Sequence, residues 1–188
     1  IVFTLLSAVY CYVMPEPIGI FVLNIYMLTI GVGTGRWAKE LLQPYVYMIP
    51  EKNSKKLFNI LREQLPTIAV ESVLCFVPVY LILKLSIAEI VGMIAARISF
   101  GFLFIGINLI LQRFFGSSDK KLFIITVYFL LIAVFSLPAI AVGVLLGTYL
   151  PFNYEFVYFA IALINVPVSG IILFCCRNIL EYADYNNK

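Results

Sequence analysis

Few residues in this sequence are of a type and in a position to do chemistry, and Arg97 is the first of them. Arg97 lies about 11 residues into an apolar run at residues 86–111, which is roughly 16 Å along a helix. An arginine at that depth in a membrane usually faces a cavity or a partner of opposite charge. Glu89 lies eight residues earlier, about 80° away around the helix, so the two side chains do not stack.

Two hypotheses for Arg97 stay open from the sequence. In the first, Arg97 lies on a polar pathway or faces a carboxylate of another helix. In the second, residues 85–96 form a helix on the outer surface or a re-entrant piece, and the 18 residues 98–115 make the span. Asn108 and Asn165 are polar residues in apolar runs, so they join Arg97 and Glu89 as candidate residues of a transport pathway.

The residues that usually carry catalysis or bind metals are missing or unsuitably placed. Histidine is absent from the chain, which removes the commonest metal ligand and a frequent general base. The glycine-rich stretch at 31–35 follows no strand and lacks the Lys-Ser/Thr ending of a phosphate-binding loop. The sequence has four cysteines, Cys11, Cys75, Cys175 and Cys176. Their spacing is not typical of a metal site. We therefore predict no catalytic, cofactor-binding or metal-binding residue, and no ATP hydrolysis by this chain.

The composition indicates an integral membrane protein. Of the 188 residues, 63% are hydrophobic and 12% are charged, and the mean hydropathy is +1.03. A soluble domain has about 25% charged and about 45–50% apolar residues. This composition excludes a soluble enzyme, a free nucleic-acid binder and a secreted disulfide scaffold.

The elements that must position the polar residues are six apolar segments. They are residues 1–14, 18–34, 65–83, 86–111, 122–147 and 156–176. Every segment after the first is close to or longer than the roughly 17 residues that a span requires. None shows the alternation of polar and apolar residues that is typical of a barrel strand. We therefore predict an all-α, polytopic membrane protein with about six transmembrane helices. It forms one transmembrane domain, with a helix pair at 1–34, a cytoplasmic coupling segment at 35–64, four helices at 65–176 and a tail at 177–188.

The basic residues predict an orientation. If the six helices alternate, 11 of the 13 Lys and Arg residues fall on one side of the membrane. They lie in segment 35–64, around Gly116 and in the C-terminal tail, whereas Lys84 lies on the other side and Arg97 within a span. Short basic loops stay in the cytoplasm. Both ends of the chain are therefore predicted to be cytoplasmic.

The longest polar stretch, residues 35–64, contains a predicted amphipathic helix. Pro44 and Pro50 bracket a stretch that is predicted not to be helical. After them, an apolar stripe recurs at helical spacing, formed by Leu57, Ile60, Leu61 and Leu65. Basic residues occupy much of the remaining surface. Such a helix suits either an anionic lipid surface or a groove on a cytoplasmic partner.

Three motifs in this region resemble a known family. They are KELL at 39–42, PYVYMIPE at 44–51 and KKL at 55–57. Together they are similar to the signature of the putative ABC exporter membrane proteins of Gram-positive bacteria, and NILE at 178–181 is similar to the family's C-terminal end. Family members are longer, so the chain resembles their C-terminal half and residues are expected before Ile1.

The resemblance implies a non-hydrolytic subunit of the bacterial plasma membrane. It would export a hydrophobic or amphipathic substrate, for example a peptide, and would pair with a separate ABC ATPase subunit and a second membrane half. That half would be a second copy or the N-terminal half of the same chain. The implied ATPase-docking residues are Tyr45, Tyr47, Lys55, Lys56, Leu57, Ile60, Leu61 and Arg62.

Two other classes compete with this interpretation. The first is the substrate-capturing component of an energy-coupled vitamin uptake system, which does not need a basic cytoplasmic segment of this length. The second is a membrane enzyme. The absence of histidine argues against metalloproteases and most lipid phosphatases, and Asp119 and Asp184 lie outside the apolar runs, so they form no intramembrane aspartyl pair.

The predicted orientation can be tested by cysteine labelling. In a variant without the four native cysteines, Asn153→Cys should react with a membrane-impermeant maleimide in intact cells. Ser118→Cys should react after the cells are opened, because the bilayer shields the cytoplasmic side. The reverse pattern would contradict the orientation.

Overall fold

The protein is described here from a computed structural model, which defines residues 2–33, 53–115, 121–149 and 154–176. These residues form six helices and no strand, so the prediction of an all-α fold is confirmed. The helices are α1 (Val2–Val13), α2 (Pro17–Gly33), α3 (Asn53–Leu83), α4 (Ile87–Phe115), α5 (Lys121–Tyr149) and α6 (Tyr154–Cys175).

Four of these helices are long and apolar enough to cross a bilayer. Their apolar stretches are Gln64–Leu83, Ile87–Leu111, Leu122–Tyr149 and Tyr154–Cys175. Helices α1 and α2 are also apolar but have 12 and 17 residues. Helix α4 runs without a break through Arg97, and its apolar stretch Ile87–Leu111 includes that residue. The described structure therefore has no separate helix that ends before Arg97.

Short connections with recognisable caps join the first and the third helix to their successors. Pro17 occupies the first position of α2, where its missing N–H costs no hydrogen bond. After α3, Lys84 has a φ of 51°, and its N–H donates to the Tyr80 carbonyl at 3.0 Å. Lys84 is thus a left-handed C-cap. The Ser86 hydroxyl then accepts from the Glu89 N–H at 3.1 Å and caps α4.

Helices α4, α5 and α6, which are consecutive in the chain, run up and down, as the alternation of spans predicts. At one end of the bundle, the rings of Phe115 on α4 and Phe123 on α5 lie 5.4 Å apart. At the other end, a Cβ on Gly92 of α4 would lie 3.3 Å from the Glu155 carbonyl of α6. Helices α4 and α6 are therefore parallel, and α5, which connects them in the chain, runs in the opposite direction.

Helix α4 is the centre of the bundle. In an 18-residue apolar stretch within α4, 72% of the residues are buried inside the molecule, whereas in the corresponding stretch of α5 the share is 11%. Its buried apolar side chains include Met93, Phe100, Leu103 and Phe104, and it packs against α2, α3, α5 and α6. The outward faces of α5, by contrast, carry exposed large apolar side chains, such as Leu122 and Val144.

The seam between α4 and α6 repeats every seven residues. Gly92 faces Tyr158, Ser99 accepts a hydrogen bond from Asn165, and Gly106 faces Ile172. A heptad repeat keeps two helices in contact along a left-handed crossing. The small residues lie on α4 and the larger ones on α6, which allows close approach in the way that membrane helices favour.

Gly106 is where this seam is tightest. A Cβ at Gly106 would lie 2.8 Å from Cγ2 of Ile172, whereas a Cβ at Gly170 would have no described neighbour within 4 Å. We expect Gly106→Ala to lower the free energy of unfolding by about 1–3 kcal/mol through overpacking. The matched control, Gly170→Ala, should leave it unchanged or raise it by up to about 1 kcal/mol, because alanine favours helix. Unfolding in mixed micelles measures both, and equal effects would contradict the close seam.

Candidate functional site

Two regions could carry function: the polar side chains around Arg97 inside the bundle, and the N-terminal end of α3. Arg97 has no exposed surface. Its Nη1 donates to the Ser72 Oγ on α3 at 2.8 Å, and the Ser72 hydroxyl donates to the Ile68 carbonyl at 2.7 Å. One turn away, Gly101 lets α3 approach, since a Cβ there would lie 2.9 Å from Cγ2 of Ile68.

The rest of the Arg97 guanidinium has neither a hydrogen-bond acceptor nor an ion-pair partner within the described structure. Its Nε and Nη2 atoms have no hydrogen-bond partner among the described residues. Among the described residues, the carboxylate that acts on it electrostatically is that of Glu71. Glu71 is exposed on α3, and no ion pair joins it to Arg97 among the described residues. Arg97 is therefore a buried cation whose charge is not paired within the described part of the chain.

Next to this arginine, three helices are joined by polar contacts. The Asn24 Nδ2 on α2 donates to the Ser7 Oγ on α1 at 3.0 Å. The Ser7 hydroxyl in turn donates to the Cys75 carbonyl on α3 at 3.4 Å. The Asn24 Oδ1 has no partner among the described residues. These contacts tie the first three helices together within one turn of Ser72.

The other predicted pathway residues lie elsewhere on or against α4. Asn165 donates to the Ser99 Oγ at 3.3 Å, and the Asn108 Nδ2 donates to the Val32 carbonyl at 3.4 Å. Glu89 is partly exposed in the first turn of α4. Within the described structure, none of the four residues bonds to another. Arg97, Asn108 and Asn165 are buried and cross-link helices, and they do not form one continuous site.

The N-terminal part of α3 extends beyond its apolar stretch. Helix α3 has 31 residues, of which the last 20, Gln64–Leu83, are apolar enough to span. The remaining 11 residues project about 16 Å further. Lys55 and Arg62 are exposed on this end, and Phe58 is 65% exposed. We call residues 53–63 the projecting end of α3.

The structure describes the side chains of only some of the residues that are predicted to dock the ATPase. Leu61 is half-buried and packs against the core, so part of its side chain faces the bundle. Tyr45 and Tyr47 lie outside the described residues, and so do the side chains of Lys56, Leu57 and Ile60.

Sequence reasoning missed Phe58, Ser7 and Ser72. A phenylalanine beside basic residues was a visible signal for Phe58. The two serines gave no comparable signal, because serine is common in apolar helices.

The comparisons with known proteins give one family. A family model described as Putative ABC exporter matches residues 1–183. No curated protein and no solved structure matches the chain significantly.

The Ser7–Asn24 contact should stabilise the first helix pair. We expect Ser7→Ala and Asn24→Leu each to lower the free energy of unfolding, and their coupling in a double-mutant cycle to be roughly 0.6–1.7 kcal/mol. Thr148→Ala is the control, because the exposed Thr148 hydroxyl bonds within its own helix. Additive effects of the Ser7 and Asn24 changes would contradict the contact.

Proposed function

Because the chain belongs to the family of putative ABC exporters, we propose that it is the membrane subunit of an exporter driven by a separate ATPase chain. The family match and the four long apolar helices indicate that the chain is a membrane-integral component of an ABC transporter. The proposal adds the docking site, the direction and the class of cargo.

The observation that carries the proposal is the continuity of α3. One helix joins the projecting end to a membrane span without an intervening loop. A helix that continues into the span transmits a push on its free end to the span. A flexible loop would absorb that movement. The projecting end is therefore the proposed coupling helix.

The exposed side chains of the projecting end suit a protein partner. Lys55 and Arg62 are exposed cations. They would attract an acidic groove on the ATPase and set the orientation in which it docks. Phe58 is an exposed aromatic side chain, and aromatic anchors supply much of the affinity of such interfaces. Tyr45, Tyr47, Lys56, Leu57, Ile60 and Leu61 complete the proposed docking set.

Prolines within α3 mark where the coupling movement would bend the helix. Pro66 lies near the start of the apolar stretch, and Pro78 lies near its far end. Each lacks the N–H that would bond to the residue four positions earlier, so each is a kink site. The segment between them contains Ser72 and Cys75, which contact the neighbouring helices.

The orientation, the assembly and the cargo complete the proposed transporter. The positive side of the chain would face the bacterial cytoplasm, with both ends inside. The largely exposed, apolar α5 would face lipid or the second membrane half. The cargo would be a hydrophobic or amphipathic molecule, which leaves the cell along a path between the two halves.

Substitutions on the projecting end test the proposal. We expect Phe58→Asp combined with Lys55→Glu to reduce the ATPase that co-purifies with the full-length protein by about tenfold or more, since an anchor and a steering charge are lost. Lys84→Glu is the matched charge reversal at the opposite end of the same helix, and it should retain the ATPase. Unchanged monodispersity and melting temperature would confirm that the bundle is folded.

Undiminished recovery of the ATPase with the double variant would overturn the docking assignment. Absence of any ATPase from the wild-type eluate, after purification in mild detergent from the native membrane, would overturn the proposed function itself.

A further inference from the structure

The two unpartnered nitrogens of Arg97 form a specific recognition element. Nε and Nη2 lie along one edge of the guanidinium, where their N–H bonds run parallel. This edge is the fork that binds the two oxygens of a carboxylate or a phosphate side by side. Both atoms are buried and lack partners among the described residues, whereas Nη1, on the other edge, is held by Ser72.

Ser72 fixes the direction in which this fork points. Its hydroxyl accepts from Arg97 at 2.8 Å and donates to the Ile68 carbonyl of its own helix at 2.7 Å. With its donor and one acceptor position used, the hydroxyl holds Nη1 against α3. The guanidinium is therefore oriented by the protein before any anion binds, which lowers the entropy cost of binding.

The surroundings leave the charge of Arg97 without an internal counterion in the described structure. Glu71 is the carboxylate that acts on it electrostatically, but Glu71 is exposed and forms no ion pair with Arg97 among the described residues. On α4, the residues three and seven positions after Arg97 are Phe100 and Phe104, both buried. In such apolar surroundings a charge-assisted pair is strong, and an unpaired charge is costly.

We infer that Arg97 binds the anionic head group, a carboxylate or a phosphate, of the amphipathic molecule that the transporter moves. The inference rests on the proposed function and adds the chemical class of its cargo. The fork takes the two anionic oxygens, Ser72 holds the guanidinium in place, and the apolar core beside it suits the hydrophobic part of the cargo. No covalent step is involved.

An anion can reach the fork only if helices around Arg97 move, and α3 is the helix that holds the guanidinium. Arg97 has no exposed surface in this structure, and Ser72 on α3 is its described partner. Ser72 lies 17 residues after Lys55, about 26 Å along the same helix. Movement of the projecting end therefore acts on the helix whose Ser72 holds the guanidinium. The anion site would open and close with the coupling movement.

A binding experiment on the purified full-length protein tests the inference without the ATPase. The probes are dodecanoate and dodecyl phosphate, with dodecyltrimethylammonium and dodecanol as cationic and neutral amphiphiles of equal chain length. Inorganic phosphate is the free anion. The protein is held in the neutral detergent dodecyl maltoside, and saturable binding is measured by titration calorimetry and by the shift in melting temperature.

We expect saturable binding of the two acidic amphiphiles and none of the cationic or neutral ones. Arg97→Lys keeps the charge but loses the fork, so it should weaken binding by about tenfold. Arg97→Gln should abolish binding, and Ser72→Ala should weaken it. Lys84→Gln, which removes a charge at the end of α3, should leave it unchanged. Inorganic phosphate that bound as tightly, with the same dependence on Arg97, would support the anion site and assign it to a free anion.

Three outcomes would overturn the inference. Equal binding of acidic and cationic amphiphiles by the wild type would do so without any variant, and therefore independently of how the variants fold. Acidic amphiphiles that bound equally to folded Arg97→Gln would exclude Arg97 as the site. If acidic amphiphiles bound to Glu71→Gln but not to the wild type, the Glu71 carboxylate would be the group that occupies the Arg97 fork in the wild type.

Amphiphile binding at Arg97 can be tested separately from docking of the ATPase. The double variant Phe58→Asp, Lys55→Glu should bind acidic amphiphiles as the wild type does, because its changes lie on the projecting end. Loss of the ATPase with retained amphiphile binding would support both proposals. A retained ATPase alongside Arg97-independent binding would overturn both.

Discussion

Helix α4 holds the described bundle together, because α2, α3, α5 and α6 all pack against it. A helix enclosed on most sides by other helices gains little from the hydrophobic effect in a bilayer, so its neighbours must be held by close contact and by interhelical hydrogen bonds. Helix α4 meets this requirement with positions that lack side chains. Gly92 and Gly106 admit residues of α6, and Gly101 admits Ile68 of α3. Larger residues at these places would force both neighbours outward.

The buried charge and the close packing depend on each other. Gly101 and Arg97 are one turn apart on α4, and they face Ile68 and Ser72, which are one turn apart on α3. The missing side chain at 101 brings α3 near enough for Ser72 to reach the guanidinium. In return, the Arg97–Ser72 hydrogen bond holds the two helices in that register. A buried charge with part of its donors unsatisfied is costly to maintain, and such residues within membrane spans commonly mark the path of a substrate or an ion.

Helix α3 links the two regions to which we assign functions. Its projecting end carries Lys55, Phe58 and Arg62, and its apolar stretch carries Ser72 and Cys75. Pro66 and Pro78 flank this second part and localise bending to either side of it. In the proposed transporter, an ATPase that moves the projecting end therefore also moves the Ser72 contact that orients the Arg97 fork. Coupling and cargo binding would then share one element, and no long relay through the bundle is needed.

The all-α membrane architecture and the positions of the six helices could be predicted from the sequence, because length, apolarity and helix-ending residues are local properties. It also singled out Arg97, since a charge in an apolar run is conspicuous wherever it lies. The contacts were decided by the tertiary structure. The seven-residue spacing of Gly92, Ser99 and Gly106 was present in the sequence, but small residues are common in apolar helices, and their partners on α6 follow from the fold alone. Likewise, the pairing of Arg97 with Ser72 and the separation of Arg97 from Glu89, Asn108 and Asn165 depend on how the helices are arranged around α4. Spacing along one helix specifies a face, and only packing against another helix specifies what that face contacts.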